Sequence, residues 1–288
     1  MYRLVDIDTH TLEVYAKGEG QPIVLLPGLA SSSEEWKDII EELSKHANVI
    51  SFHRAGLGKS TLGSEKRCAK ETANDLKLVL EELQITLPIV LVGHSYGGFI
   101  AQYFSFIHPT SVKSLVLVES SSFDFELLNE VTGAQSKQAI DMYRSLSALD
   151  RESIIEKLNI NATLEEMDQS DHDKRRLREF KSNPVMYRAL ADELEEMPND
   201  ANFLKQNKGL AEIPLRIIGR DPDHSIEMMI KQGMPRETAE KVEEVWQKLI
   251  KDQLKLSANS TYTLAEGSYH NVNDSHPDIV IQEVVRLL

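Results

Sequence analysis

In Leu87-Pro88-Ile89-Val90-Leu91-Val92-Gly93-His94-Ser95-Tyr96-Gly97-Gly98, an apolar run, a glycine-flanked serine and the start of a helix follow one another directly. Ile89–Val92 is short and continuously apolar, as a strand covered on both faces should be. The segment 97–107 reads as a helix that ends before Pro109. The chain must therefore turn from strand to helix within a few residues around Ser95. Such a turn holds the serine in a strained conformation, and Gly93, Gly97 and Gly98 let the backbones approach without a Cβ in the way. The serine Oγ then projects above the C-terminal edge of the sheet, where the helix N-terminus favours developing negative charge. A bare G-x-S-x-G is a weak pattern, but between a strand and a helix it is specific. The bland alternative is a structural glycine turn with an incidental serine.

Outward from this turn the chain alternates. Tyr2–Asp8 and Thr11–Lys17 read as a strand pair, and Ile23–Leu26 as a buried strand entering a turn at Pro27-Gly28. Trp36, Ile39, Ile40 and Leu43 fall at helical spacing behind the serines 31–33, which can cap a helix. Asn48–Phe52 reads as a strand, and Leu76, Val79, Leu80 and Leu83 mark a helix. Ser114–Val118 is a further strand. From about Phe123 to Lys208 strands vanish, and apolar residues such as Met186, Leu190, Leu194 and Met197 keep helical spacing. Leu215–Ile218 restores a strand. An amphipathic helix carrying Val242, Val245, Trp246, Leu249 and Ile250 follows, then a strand at Ser260–Leu264 and a closing helix from Ile279 to Leu288. Strands alternating with helices imply an α/β fold with a mostly parallel central sheet flanked by helices.

Composition narrows the function classes. The 288 residues are 41% hydrophobic and 27% charged, which suits a globular chain with a real core. The net charge of −14 repels phosphate backbones and anionic lipids, so neither nucleic acid nor a membrane surface is expected as a partner. The basic run Lys174, Arg175, Arg176, Arg178 sits among acids and reads as a solvated helix face. The single cysteine, Cys68, allows no intrachain disulfide and reads as a bystander in a polar segment. With no apolar leader and no long apolar run, a soluble, cytoplasmic protein is expected. Gly56-Leu57-Gly58-Lys59-Ser60 lacks the first glycine of a phosphate-binding loop, since His53 stands there. Asp168, Asp171, His172 and Asp173 are spaced like a solvated acidic helix and not a metal cage. No metal and no cofactor are expected.

Five segments in order carry a resemblance: Leu26-Pro27-Gly28-Leu29; His53-Arg54-Ala55-Gly56-Leu57-Gly58-Lys59-Ser60; the Ser95 turn; 112–119; and Gly267-Ser268-Tyr269-His270. Over nearly its whole length the chain resembles serine hydrolases of the α/β-hydrolase fold superfamily. The family usually has His-Gly where this chain has Pro27-Gly28, a known variant. It usually has an aspartate, generally a structural turn residue, where this chain has His53. The resemblance implies an α/β-hydrolase core at 1–122 and 209–288, with a helical lid at 123–208 inserted between the sixth and seventh strands.

The same resemblance implies roles. Serine needs an adjacent base, and among nine histidines His270 follows the last strand and precedes the last helix, at the family's position. His276 is expected to cap or face solvent, and His94 to point away into the sheet edge. A carboxylate should orient the imidazole. The favoured acid is Glu119, at the end of the Ser114–Val118 strand, where haloalkane dehalogenases and some serine hydrolases carry it. The rival is Asp221, after Leu215–Ile218, where the usual Gly-x-x-Asp slot holds Pro222. The backbone N–H groups of Leu29 and Tyr96 are the expected oxyanion hole. Trp36 is expected either beside Leu29 in an acyl pocket or in the core. The reading is a serine hydrolase that cleaves a small carboxylic ester, or a similar acyl bond, through an acyl-enzyme on Ser95. A small-molecule acyl substrate is the only partner implied, and the oligomeric state stays open. Open alternatives are a C–C hydrolase, lyase, acyltransferase or cofactor-free peroxidase on the same scaffold, or a non-catalytic ligand receptor. Serine in place of aspartate argues against haloalkane dehalogenation.

Overall fold

The strand segments pair into one sheet of eight strands in the order β1-β2-β4-β3-β5-β6-β7-β8. In the computed structural model, residues 2–133, 135–207, 209–210 and 212–288 are described. The strands are β1 (Tyr2–Ile7), β2 (His10–Lys17), β3 (Pro22–Leu26), β4 (Asn48–Phe52), β5 (Ile89–His94), β6 (Val112–Val118), β7 (Leu215–Arg220) and β8 (Ser260–Ala265). β2 runs antiparallel to both β1 and β4, and every other pairing is parallel. β3 and β5 are buried at every position, which explains their lack of alternation.

Helices cover both faces. They are α1 (Lys37–Leu43), α2 (Ala69–Glu82) and α3 (Tyr96–Ile107), then α4 (Glu126–Thr132), α5 (Gln135–Ser147), α6 (Arg151–Lys157), α7 (Ile160–Glu165), α8 (Asp171–Lys181) and α9 (Pro184–Gln206). They continue with α10 (Pro222–Lys231), α11 (Arg236–Asp252), α12 (Val272–Ser275) and α13 (Pro277–Val285). One core joins α2, α3 and Ile250 of α11 to one sheet face, and a second joins α1 and α13 to the other. Helices α4 to α9 lie between β6 and β7. Leu146, Ile154, Ile160, Phe180 and Leu190 from this insertion form a cluster of their own, against which Leu29 packs from the core side. Residues 1 and 208, which bound two of the expected segments, lie outside the described residues. No helix among the described residues is long and apolar enough to cross a membrane.

Two local expectations are corrected, and for Trp36 the core alternative holds. The basic run is not simply solvated: Arg176 reaches from α8 to Glu34 and Glu13 and lies 4.4 Å over the Tyr2 ring. Cys68 is buried, and its Sγ accepts the Glu71 N–H at the start of α2. Trp36 is wholly buried in the second core. At the unusual His53, the imidazole bonds Glu13 Oε2 at 2.8 Å and Ser32 Oγ at 2.9 Å, while that same Glu13 oxygen accepts the Lys59 N–H at 3.0 Å. A carboxylate from β2 thus supplies the acceptor for the glycine turn. Burial would raise Glu13, but the bond and charge of His53, the Lys59 N–H and Arg176 outweigh it and hold the carboxyl down at about 2.

Candidate active site

β5 ends at His94 and α3 begins at Tyr96, so Ser95 alone makes the turn, with φ 51° and ψ −120°. That left-handed conformation is costly for a non-glycine residue and persists only because its surroundings fix it. The Ser95 N–H donates to Val118 O at 3.1 Å, and Ser95 O accepts the Ser121 N–H at 3.0 Å. A Cβ on Gly93 would lie 2.6 Å from Gly98 Cα, and one on Gly97 would strike the Leu26 carbonyl. The glycines at 93 and 97 are therefore required by close backbone approach.

Three side chains from distant segments converge. His270 Nε2 stands 3.1 Å from Ser95 Oγ, and His270 Nδ1 stands 3.2 Å from Glu119 Oε2. Glu119 follows β6 directly, is fully buried, and itself takes a positive φ of 45°. A buried carboxylate needs its oxygens satisfied. Glu119 Oε1 accepts the Arg220 N–H at 2.9 Å, and Oε2 accepts Trp246 Nε1–H at 2.9 Å. The Arg220 guanidinium is 3.4 Å from Oε2 and is paired in turn with buried Glu243. Arg220, Trp246 and Glu243 escaped the sequence reading. Trp246 was visible only as part of an amphipathic stripe, and nothing in a single sequence places α11 beside the end of β6.

Asp221 is not brought to the imidazole. It caps α10, accepting the N–H groups of Asp223 at 3.0 Å and His224 at 3.2 Å, and its other oxygen accepts the Gly267 N–H at 2.8 Å. These bonds, chiefly that from Gly267, hold its carboxyl below the usual range. His276 sits between α12 and α13 with its ring on Ser275. His94 departs from expectation: its Nε2 bonds the His270 carbonyl at 3.1 Å, and its Nδ1 lies 3.6 Å from Glu35. It braces the His270 loop from behind.

Electrostatics set the imidazole's state. Burial, above all, pushes His270 below the usual histidine value. The Glu119 hydrogen bond and charge oppose the shift, while nearby His94 and Arg220 reinforce it. A neutral imidazole with Nδ1–H on Glu119 has Nε2 free to accept the serine proton. For His94 the balance is reversed: burial lowers it, but Glu35, the His270 carbonyl and Glu119 together outweigh burial and raise it.

The expected anion-binding donors also lie here. Tyr96 opens α3, so its N–H has no intrahelical partner. Gly28 approaches so closely that a Cβ there would be 3.5 Å from Ser95 Cβ, which puts Leu29 next to the nucleophile turn. Two cavities, of about 320 Å3 around His53 and Arg176 and about 420 Å3 around Cys68 and Asp200, do not border Ser95. The hydrogen-bond chain marks this site, and neither of these two cavities does. Among the described residues no group of three or more His, Cys, Asp or Glu side chains is arranged to hold a metal ion.

A family model described as alpha/beta hydrolase fold matches residues 21–207. An AB hydrolase superfamily protein of Gibberella zeae is 24% identical over 291 residues, covering 93% of this chain and 86% of that one. A pimeloyl-[acyl-carrier protein] methyl ester esterase of Pseudoalteromonas atlantica is 34% identical over 113 residues, which is 38% of this chain and 42% of the relative. Two further curated relatives are likewise matched over 42% of their length. Among solved structures, an esterase from Thermogutta terrifontis superposes with a TM-score of 0.66 at 18% identity, covering 99% of this chain and 97% of that one. At that identity the likeness speaks for the fold alone.

Proposed function

The chain belongs to the alpha/beta hydrolase fold family, and from that premise we propose that it is a serine hydrolase acting on a small carboxylic ester or similar acyl bond. The observation that carries the reading is the unbroken chain from Glu119 through His270 to Ser95, with links of 3.2 and 3.1 Å. Ser95 Oγ attacks the acyl carbon while its proton passes to His270 Nε2, and Glu119 stabilises the resulting imidazolium. The Leu29 and Tyr96 N–H groups take the oxyanion. The bond to the leaving oxygen breaks as Nε2 returns the proton to it, which releases an alcohol and leaves an acyl-Ser95 ester. Water, deprotonated by His270, then attacks the acyl carbon. Collapse releases the carboxylic acid and restores the serine hydroxyl.

The helices of 123–208 act in this account as a lid that shapes the acyl pocket, and the packing of Leu29 against their apolar cluster supports it. The esterase names of the Pseudoalteromonas and Thermogutta proteins favour an ester among acyl substrates. We place the protein in the cytoplasm, on its single cysteine and its acidic charge. The test is pre-steady-state release of nitrophenol from 4-nitrophenyl butyrate. A burst in the wild type that vanishes in Ser95→Ala is expected, and turnover that survives Ser95→Ala overturns the proposal.

A further inference from the structure

Arg54 and Glu193 form a buried ion pair that no step above uses, and both side chains are almost fully out of solvent, at 1% and 0% exposed. A guanidinium has five N–H donors, and here each has an acceptor. Nε donates to Glu193 Oε1 at 2.7 Å and one Nη2 proton to Glu193 Oε2 at 3.1 Å. The two Nη1 protons go to Pro27 O at 3.0 Å and Gly28 O at 3.1 Å, and the remaining Nη2 proton goes to Leu29 O. Three successive carbonyls are thus turned toward one cation.

Peptide planarity gives this a consequence. In a trans peptide the C=O and the following N–H point in opposite directions. Fixing Pro27 O on Arg54 turns the Gly28 N–H away, and it is found on Glu35 Oε1 at 3.1 Å. Fixing Gly28 O on Arg54 turns the Leu29 N–H away in the same manner. Gly28 itself lies against Ser95 and His94. The guanidinium carbon also stands 5.4 Å over the ring of Tyr96, the other proposed donor residue.

We infer that Arg54, held in place by Glu193, is a positioning residue for the oxyanion hole, since it sets the direction of the Leu29 N–H. This rests on the serine-hydrolase reading of Ser95. Because Glu193 belongs to α9, the helical insertion is then part of the catalytic machinery and not only a cover over it.

Two variants test it. Arg54→Lys keeps the charge, but one ammonium has no planar fork to span three carbonyls and a carboxylate. Arg54→Met/Glu193→Leu removes the pair without leaving a lone buried charge. Burst kinetics with 4-nitrophenyl butyrate separate the substrate dissociation constant, the acylation rate constant and the burst amplitude, which counts active sites. In both variants the acylation constant is expected to fall roughly ten- to a hundredfold. The dissociation constant should hold within about threefold and the amplitude should stay full. The inhibition constant of benzeneboronic acid, a mimic of the tetrahedral intermediate, should weaken by the same factor as acylation. A merely structural pair would instead lower the amplitude and leave the rate constant alone. An unchanged acylation constant in folded Arg54→Lys overturns the inference, whether or not the double variant folds. A wild type without any Ser95-dependent burst fails the underlying reading itself and takes this inference with it.

Discussion

Glu119 and Asp221 compete for one role in the sequence, and their environments separate them. Glu119 offers an oxygen to the imidazole, whereas Asp221 spends both of its oxygens on backbone N–H groups. Glu119→Gln is therefore expected to lower kcat by roughly ten-thousandfold, the loss seen when a triad aspartate becomes an amide, while Asp221→Asn leaves it nearly unchanged. The reverse result in steady-state kinetics moves the acid to Asp221. The lowered His270 value predicts the acid limb of the pH profile. The neutral imidazole is the active form, so kcat/KM falls as pH drops through that value, with a midpoint below 6.5. A midpoint above 6.5 contradicts the account. Ser95 stood out from its strand–turn–helix setting, whereas His270 and both acids were named from the family resemblance, and the structure brings Ser95, His270 and Glu119 within hydrogen-bond distance. The choice between the acids was not legible, because it depends on which backbone N–H groups each carboxylate meets in space.

Elements bring these residues together through strand order. β5, β6 and β7 are parallel neighbours, so residues at or just past their C-terminal ends, such as Ser95, Glu119 and Arg220, gather at one edge. α11 adds Trp246 and Glu243 from outside. Trp246→Phe keeps the apolar stripe but removes the indole donor from Glu119, an expected loss of about 1–3 kcal/mol in chemical denaturation. With one donor fewer, the carboxylate attracts the imidazolium more strongly, so the acid limb of the pH profile shifts upward. An unchanged stability and an unchanged limb together remove Trp246 from the site's support. Sequence periodicity marked α11 as amphipathic but not what its polar-tipped face meets. The helical character of the insertion was legible in the same way. Arg176's reach from α8 to Glu34 and Glu13 was not, since a basic run on a helix looks the same whether or not acids stand across from it.

At the scale of the molecule, buried charge joins the insertion to the core. Glu193→Ala alone leaves the Arg54 guanidinium without its counter-charge and is expected to cost about 3–5 kcal/mol, whereas Arg54→Met/Glu193→Leu, which leaves no lone charge but takes a donor from three carbonyls, is expected to cost less. Denaturant melts of the two variants give the comparison, and equal losses contradict it. Glu13 adds a pH dependence with a definite sign. Its folded value of about 2 lies below the ordinary 4.5, so its contribution is present above about pH 4.5 and is lost as pH falls toward 2. Thermal melts of Glu13→Gln should show a flatter acid slope than the wild type, and an identical slope shows that the Glu13–His53 bond contributes nothing there. The α/β architecture and the place of the insertion were readable from alternation alone. The antiparallel run of β2 beside β4 and the contacts that hold the insertion down were not, because they join segments far apart in the chain.

The account depends on Ser95 being made nucleophilic by His270. The most direct measurement is labelling with a fluorophosphonate probe, followed by mass mapping of the modified residue. Phosphonylation of Ser95 alone, lost in Ser95→Ala and slowed by orders of magnitude in His270→Ala, is the predicted result. Modification of a different residue, or labelling of Ser95 at an undiminished rate in His270→Ala, contradicts it.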